Sequence, residues 1–143
     1  GLGARDILRT EMGYPLHGQD ISPSISPLEA KISWAVGWDK PHFDGRETLQ
    51  ATRVQGAVRK RVALRAMGRG IPRAQMDVYS DLELHHKIGE ITSGTFSPTL
   101  KEGIAMALVD VEHEKLARMF IDVRGKALES ANVLLPFIVA SPK

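Results

Sequence analysis

The chain of 143 residues contains no cysteine, which excludes disulfides, thiol nucleophiles and thiolate metal sites together. It also has no apolar run near the roughly 18–20 residues that a membrane-crossing helix needs. Its N-terminus lacks the basic stretch, apolar run and small-residue cleavage site of a secretory signal. No membrane association is expected, and a cytoplasmic location is the simplest reading. Charge of one sign is also in short supply: 19 Lys and Arg stand against 17 Asp and Glu, a net of +2, which makes no case for a nucleic-acid partner. Histidines number five, and only His85-His86 are adjacent. Neighbouring side chains on a strand point to opposite faces, so this pair does not suit one metal ion. The stretch reads as an exposed hairpin turn. His17, His42 and His113 have no companions at ligand spacing, and no metal is expected.

Apolar content of 43% is ordinary for a globular protein. Residues Ala4 to Met12 place Ile7, Leu8 and Met12 along one helical stripe and Arg5 and Arg9 along another. Gly13 suits the end of that helix and Pro15 discourages its continuation. The Ser- and Pro-rich loop ISPSISP follows. The spacing then predicts a turn at Pro27–Ala30 running into a strand at Ile32–Val36. In DGRETLQATRV, Asp44 can cap a helix whose first turn carries Glu47.

The period changes at RKRVALRAM, where Val62, Leu64 and Ala66 alternate with Arg61, Ala63 and Arg65, as in a half-buried strand. KIGEITSGTF, GIAMALVDV, ARMFIDVRG and SANVLLPF are further short apolar segments separated by turns. Strands at such spacing point to an antiparallel barrel or sandwich. The expected fold is therefore α+β, a helical head over residues 1–50 and a β-rich body over 51–143. The head is too small to bury Leu2, Ile7, Leu8, Met12, Trp34 and Trp38 by itself. Unless the body or a further segment covers them, self-association through the head is expected.

Two constellations stand out. Arg5 and Arg9, four residues apart, are like charges that destabilise an isolated helix slightly. Either Asp6 and Glu11 neutralise them in a solvated network, or one guanidinium faces a carboxylate of a bound ligand, for which its planar fork is suited. The second constellation runs from Arg53 to Arg73, where Arg53, Arg59, Lys60, Arg61, Arg65, Arg69 and Arg73 are accompanied by no acid. Such a run calls for an anionic partner or an acidic protein surface nearby. Its MGRGIPRAQ loop lacks the interleaved aromatics that stack bases, so a solvated basic loop is the better reading.

Several blocks carry a family resemblance. GLGARDILRTEMGYPLHGQDI resembles the G-L-x-A-R-D-x-L-R-x-E-x-G segment of aminomethyltransferases, the T-proteins of the glycine cleavage system. SPLEAKISWAV is similar to that family's T-P-x-E-A-x-L-x-W-x-V stretch, and FDGRETL to its F-x-G-(R/K)-x-x-L. EITSGTFSPTLKEGIAMALVD resembles its late V-T-S-G-x-x-S-P signature, and ANVLLPFIV its closing strand. The blocks follow family order across nearly the whole chain. Two stretches depart from the pattern: DVYSDLELHHKIG replaces a shorter turn, and the tail places Pro142 near a residue that reaches the folate site in the family.

The resemblance implies a C-terminal portion of a longer enzyme. Residues 1–50 would close the folate-binding part, and 51–143 would form a six-stranded-type antiparallel barrel. The implied reaction moves a one-carbon unit from the aminomethyl-dihydrolipoyl arm of a carrier protein, the H-protein, to tetrahydrofolate, with release of ammonia. Members are mitochondrial in eukaryotes. The family's catalytic aspartate lies upstream, so the resemblance implies no catalytic residue in this chain and no transfer activity for it alone. Arg5 carries over as a folate ligand, whereas Arg9, Glu11 and Arg61 match motif positions with structural roles. The rival readings are the folate-binding domain of a sarcosine- or dimethylglycine-oxidising enzyme and a non-catalytic basic barrel that binds RNA or protein.

Overall fold

The computed structural model describes residues 1–139. Helix α1 spans Leu2–Glu11 and α2 spans Arg46–Gln55. Six strands follow: β1 Arg59–Ala66, β2 Asp77–Tyr79, β3 Lys87–Ser97, β4 Glu102–Asp110, β5 Arg118–Val123 and β6 Lys126–Val133. They close into one antiparallel barrel in the order β1-β4-β3-β2-β5-β6, with β6 pairing back onto β1. Closure leaves no strand edge open, which removes the usual aggregation hazard of a sheet. The expected helical head and antiparallel barrel are both present.

Alternation explains the strands. Val62, Leu64 and Ala66 of β1 point into the barrel, where they meet Val78, Ile88, Ile91, Met119 and Ile121. β4 reads as an unbroken apolar run because both of its faces are buried. Its Ala105, Ala107 and Val109 face the barrel interior. Ile104 and Met106 face outward into a second cluster with Ala63 and Phe137, flanked by Leu135 and Ile138. The second core thus lies between the outer barrel wall and the segment after β6. Ile121 has no exposed surface; trimming it to valine removes one buried methylene, and Ile121→Val should cost about 1 kcal/mol in urea denaturation.

The head departs from expectation at two points. Ile32–Val36 is not a strand: Ser33–Ala35 form a single 3-10 turn, fixed by the Trp38 indole N–H donating to the Ser33 carbonyl at 2.9 Å. The closed barrel offers this segment no edge to pair with. Asp44 does not cap α2 either. Gly45, at φ 81°, occupies the cap position with no side-chain cap bond, while Glu47 sits in the first turn as expected. Helix α2 runs across residue 50, and the barrel opens at Arg59.

The turn at His85-His86 is exposed, as expected. The Asp81 carboxylate accepts the backbone N–H of His85 at 2.9 Å and of His86 at 2.8 Å. The His85 amide bond is the main cause that holds the Asp81 carboxyl below its ordinary range. Strand β2 had no sequence expectation because three residues are too few to display a period.

The basic run does not form a single face. Arg53 lies over the Trp38 ring, 4.6 Å from its centroid. Arg59 pairs with Glu29 at 2.7 Å and Arg65 with Glu102 at 2.8 Å. Arg69 and Arg73 remain on the exposed loop between β1 and β2.

Candidate functional site

Helix α1 ends in a left-handed residue, Gly13, at φ 75°. Its N–H donates to the Thr10 carbonyl at 2.9 Å, and the Tyr14 N–H donates to the Arg9 carbonyl at 2.8 Å. This pair of bonds is the Schellman stop that glycine permits. A side chain at Gly13 would also strike Leu135, whose Cδ2 lies 2.7 Å from the place of a Cβ. The stop turns the chain back toward the barrel and brings Asp20 against β3.

Asp20 is the centre of the contact. Its carboxylate is fully buried. Oδ2 accepts from Arg9 Nη1 at 2.7 Å, from the Leu16 N–H at 2.9 Å and from the Ser93 hydroxyl at 2.8 Å. Oδ1 accepts from the Thr92 hydroxyl at 2.6 Å. Two consecutive strand residues reach one carboxylate because β3 bulges there: Ile91 pairs with Ala107 and Ser93 with Met106, leaving Thr92 as the extra residue.

Arg9 is saturated. Beyond Asp20, its Nε and Nη2 donate to Asp6 Oδ1 at 2.8 and 2.6 Å, and Nη2 donates to the Ser93 hydroxyl at 2.9 Å and to Gln19 Oε1 at 3.1 Å. A second latch lies two residues on. The buried Glu11 carboxylate accepts the Ser97 hydroxyl at 2.5 Å, and its backbone carbonyl accepts the Phe137 N–H at 2.9 Å. Arg61 approaches from β1 and donates from Nη1 to the Gly13 carbonyl at 3.2 Å. Burial pushes its guanidinium down from the ordinary value, against the opposing charge of Asp20. Arg61 Nε is buried and has no hydrogen-bond partner among the described residues.

Arg5 stands apart from all of this. It is exposed on the open side of α1, and no side-chain hydrogen bond or ion pair engages it among the described residues. With Gly1, Ala4, Leu8, Met12, Tyr14 and one edge of Arg9 it lines a shallow, mostly apolar depression. Of the head's apolar residues, Leu2, Leu8 and Trp34 are 84%, 62% and 82% exposed, whereas Ile7, Met12 and Trp38 are half-buried, so the barrel covers the head only in part. The local charges explain why Arg5 is left over: Asp6 and Asp20 are matched by Arg9 and Arg61, and Glu11 turns away to Ser97.

Other features are weaker. A cavity of about 690 Å³ lies between the loop around Gly18–Ile25 and β3. Its cations are already engaged, Arg59 by Glu29 and Lys87 by Asp77 and Glu90. Asp110, Glu112 and His113 bring ligand atoms within 4.8 Å of one another, a grouping that sequence spacing passed over. It is an open surface turn in which the Glu112 side chain is 77% exposed. The family tail position, Pro142, lies outside the described residues.

A helical head latched through buried acids to the outside of a closed six-stranded barrel is a fold class distinctive enough to compare. Residues 59–138 match the model of the glycine cleavage T-protein C-terminal barrel domain, and residues 1–40 match that of the GCVT N-terminal domain. The chain is 54% identical over 143 residues to an aminomethyltransferase of Parafrankia sp. (strain EAN1pec), covering all of this chain and 39% of that protein. It is 48% identical over 145 residues to an aminomethyltransferase of Mycobacterium tuberculosis (strain ATCC 25618 / H37Rv), with the same coverage. The crystal structure of glycine cleavage system aminomethyltransferase T from Bartonella henselae superposes with a TM-score of 0.88 at 34% identity, over 96% of this chain and 39% of that one. The chain belongs to the glycine cleavage T-protein family. It spans about two fifths of the length of the relatives it matches.

Proposed function

We propose that this chain is the C-terminal part of a cytoplasmic aminomethyltransferase that moves a one-carbon unit from the aminomethyl-dihydrolipoyl arm of a carrier protein to tetrahydrofolate, releasing ammonia. The head, to about residue 50, would close the folate-binding part, and Arg5 would hold an anionic or acceptor group of the folate. The observation that carries this reading is the contrast between the two arginines of α1. Both line the apolar depression, but Arg9 is enclosed by acceptors, whereas the exposed Arg5 has none among the described residues. A guanidinium beside apolar surface suits a ligand with a flat ring and a carboxylate tail. The acid that polarises the reacting centre would come from the upstream part.

The test joins this chain to the upstream segment of the Parafrankia relative, since that protein matches all 143 residues here. Calorimetric titration with tetrahydrofolate should show binding by the joined protein. Arg5→Ala should weaken it by about 10- to 100-fold, the worth of one charge-assisted hydrogen bond. A joined protein that folds and ignores tetrahydrofolate, or one in which Arg5→Ala binds unchanged, would overturn the reading.

A further inference from the structure

We infer that Thr92 and Ser93, on the barrel, are positioning residues for Arg5 on the head, acting through Asp20 and Arg9; the inference rests on the proposed role of Arg5. Three observations lead to it.

The first is where α1 is held. Only Thr10 and Glu11 of this ten-residue helix are buried, and its side-chain bonds to the barrel come from Arg9 and Glu11, so it is anchored toward its C-terminal end while Arg5 is exposed. A helix this short has little stability of its own and takes its orientation from tertiary contacts. Arg5 lies one turn before Arg9, about 6 Å along the axis. A tilt of about 10° about the anchored end would move the Arg5 turn by about 1 Å.

The second is what the anchor is made of. The Ser93 hydroxyl accepts from Arg9 Nη2 at 2.9 Å and donates to Asp20 Oδ2 at 2.8 Å, so it bridges the ion pair rather than decorating it. Thr92 holds the other carboxylate oxygen at 2.6 Å. With both oxygens engaged, the carboxylate plane is fixed, and with it the fork of Arg9.

The third is the bulge at Thr92. Regular alternation would turn one of these two hydroxyls into the barrel. The bulge directs both at the head, a geometry that barrel closure does not require. The barrel therefore contributes to the ligand site without touching the ligand.

A double-mutant cycle on the joined protein tests this, read by the Kd for tetrahydrofolate and by melting temperature. Ser93→Ala should weaken binding by about 3- to 10-fold when Arg5 is present. In the Arg5→Ala background it should weaken binding no further. Thr92→Val, which keeps the side-chain shape, should repeat the pattern if Ser93→Ala proves too unstable to titrate. An equal loss in both backgrounds, or no loss beside an intact Arg5 effect, would overturn the positioning role alone. An absent Arg5 effect would overturn it together with the proposed function.

Discussion

Replacing Asp20 with alanine should destabilise the protein by about 3–5 kcal/mol, the usual cost of leaving one member of a buried ion pair without its partner. The carboxylate has no exposed side-chain surface and accepts four hydrogen bonds, from Arg9, Leu16, Thr92 and Ser93. Its removal takes from Arg9, whose side chain is only 12% exposed, the buried charge that pairs with it, and leaves Asp6, Gln19, the Tyr14 carbonyl and the Ser93 hydroxyl as its acceptors. Arg61 loses the charge that offsets its own burial. Two barrel hydroxyls lose the carboxylate and fall back on neutral acceptors, Thr92 on the Met106 carbonyl and Ser93 on Gln19 Oε1, each at 3.1 Å. The loss should fall on the contact between head and barrel, since the barrel interior contains none of these groups. Chemical denaturation should therefore show a lower midpoint, and limited proteolysis should cut the head of the variant first. Asp39→Ala at an exposed position should change stability by no more than about 0.5 kcal/mol. A variant at Asp20 as stable as the Asp39 control would mean that the latch does not hold the two parts together.

The barrel was legible in the sequence because its pattern is local. Alternation over Arg59–Ala66 placed Val62, Leu64 and Ala66 on one face, and that face is the barrel interior. KIGEITSGTF, GIAMALVDV and ARMFIDVRG became β3, β4 and β5, whereas SANVLLPF is strand only over Ser130–Val133, the end of a β6 that begins earlier, at Lys126. The latch was not legible, because its partners lie far apart in sequence: Arg9 meets Ser93 across 84 positions, and Glu11 meets Ser97 across 86. Serine and threonine in a strand give no sign of what they will bind. Helical spacing set Arg5 and Arg9 on one stripe, but it could not say that the helix's side-chain bonds to the barrel are confined to the last turn. That confinement separates them, leaving one saturated and the other open. It also divides the two candidate neutralising acids, since Asp6 pairs with Arg9 whereas Glu11 goes to the barrel. The strand expected at Ile32–Val36 failed for a related reason. Its residues favour extended structure, yet a closed barrel provides no partner and the Trp38 indole holds a turn instead.

One glycine of the late motif tests how closely the barrel end is packed. Gly94 follows Ser93 in β3, and the loop between β1 and β2 crosses over it. A Cβ built there would lie 2.4 Å from the Pro72 carbonyl oxygen and 2.6 Å from its carbon. Both are backbone atoms, so no side-chain rotation can relieve the contact. Pro72 is itself buried, and its ring is held from the other side by Gly103, where a Cβ would lie 2.7 Å from Pro72 Cδ. The loop therefore cannot rise without uncovering apolar surface, and β3 cannot sink without compressing a filled interior. Gly94→Ala should cost about 3 kcal/mol or more, at the upper end of overpacking effects. Gly18→Ala has open space for its Cβ but sits at φ 88°, so its cost should come from backbone strain alone, about 1–2 kcal/mol. A thermal melt that ranks Gly94→Ala as the more damaging would confirm that close approach of the loop requires this glycine. The opposite ranking would mean that the loop moves aside freely, and the packing account of the motif would fall.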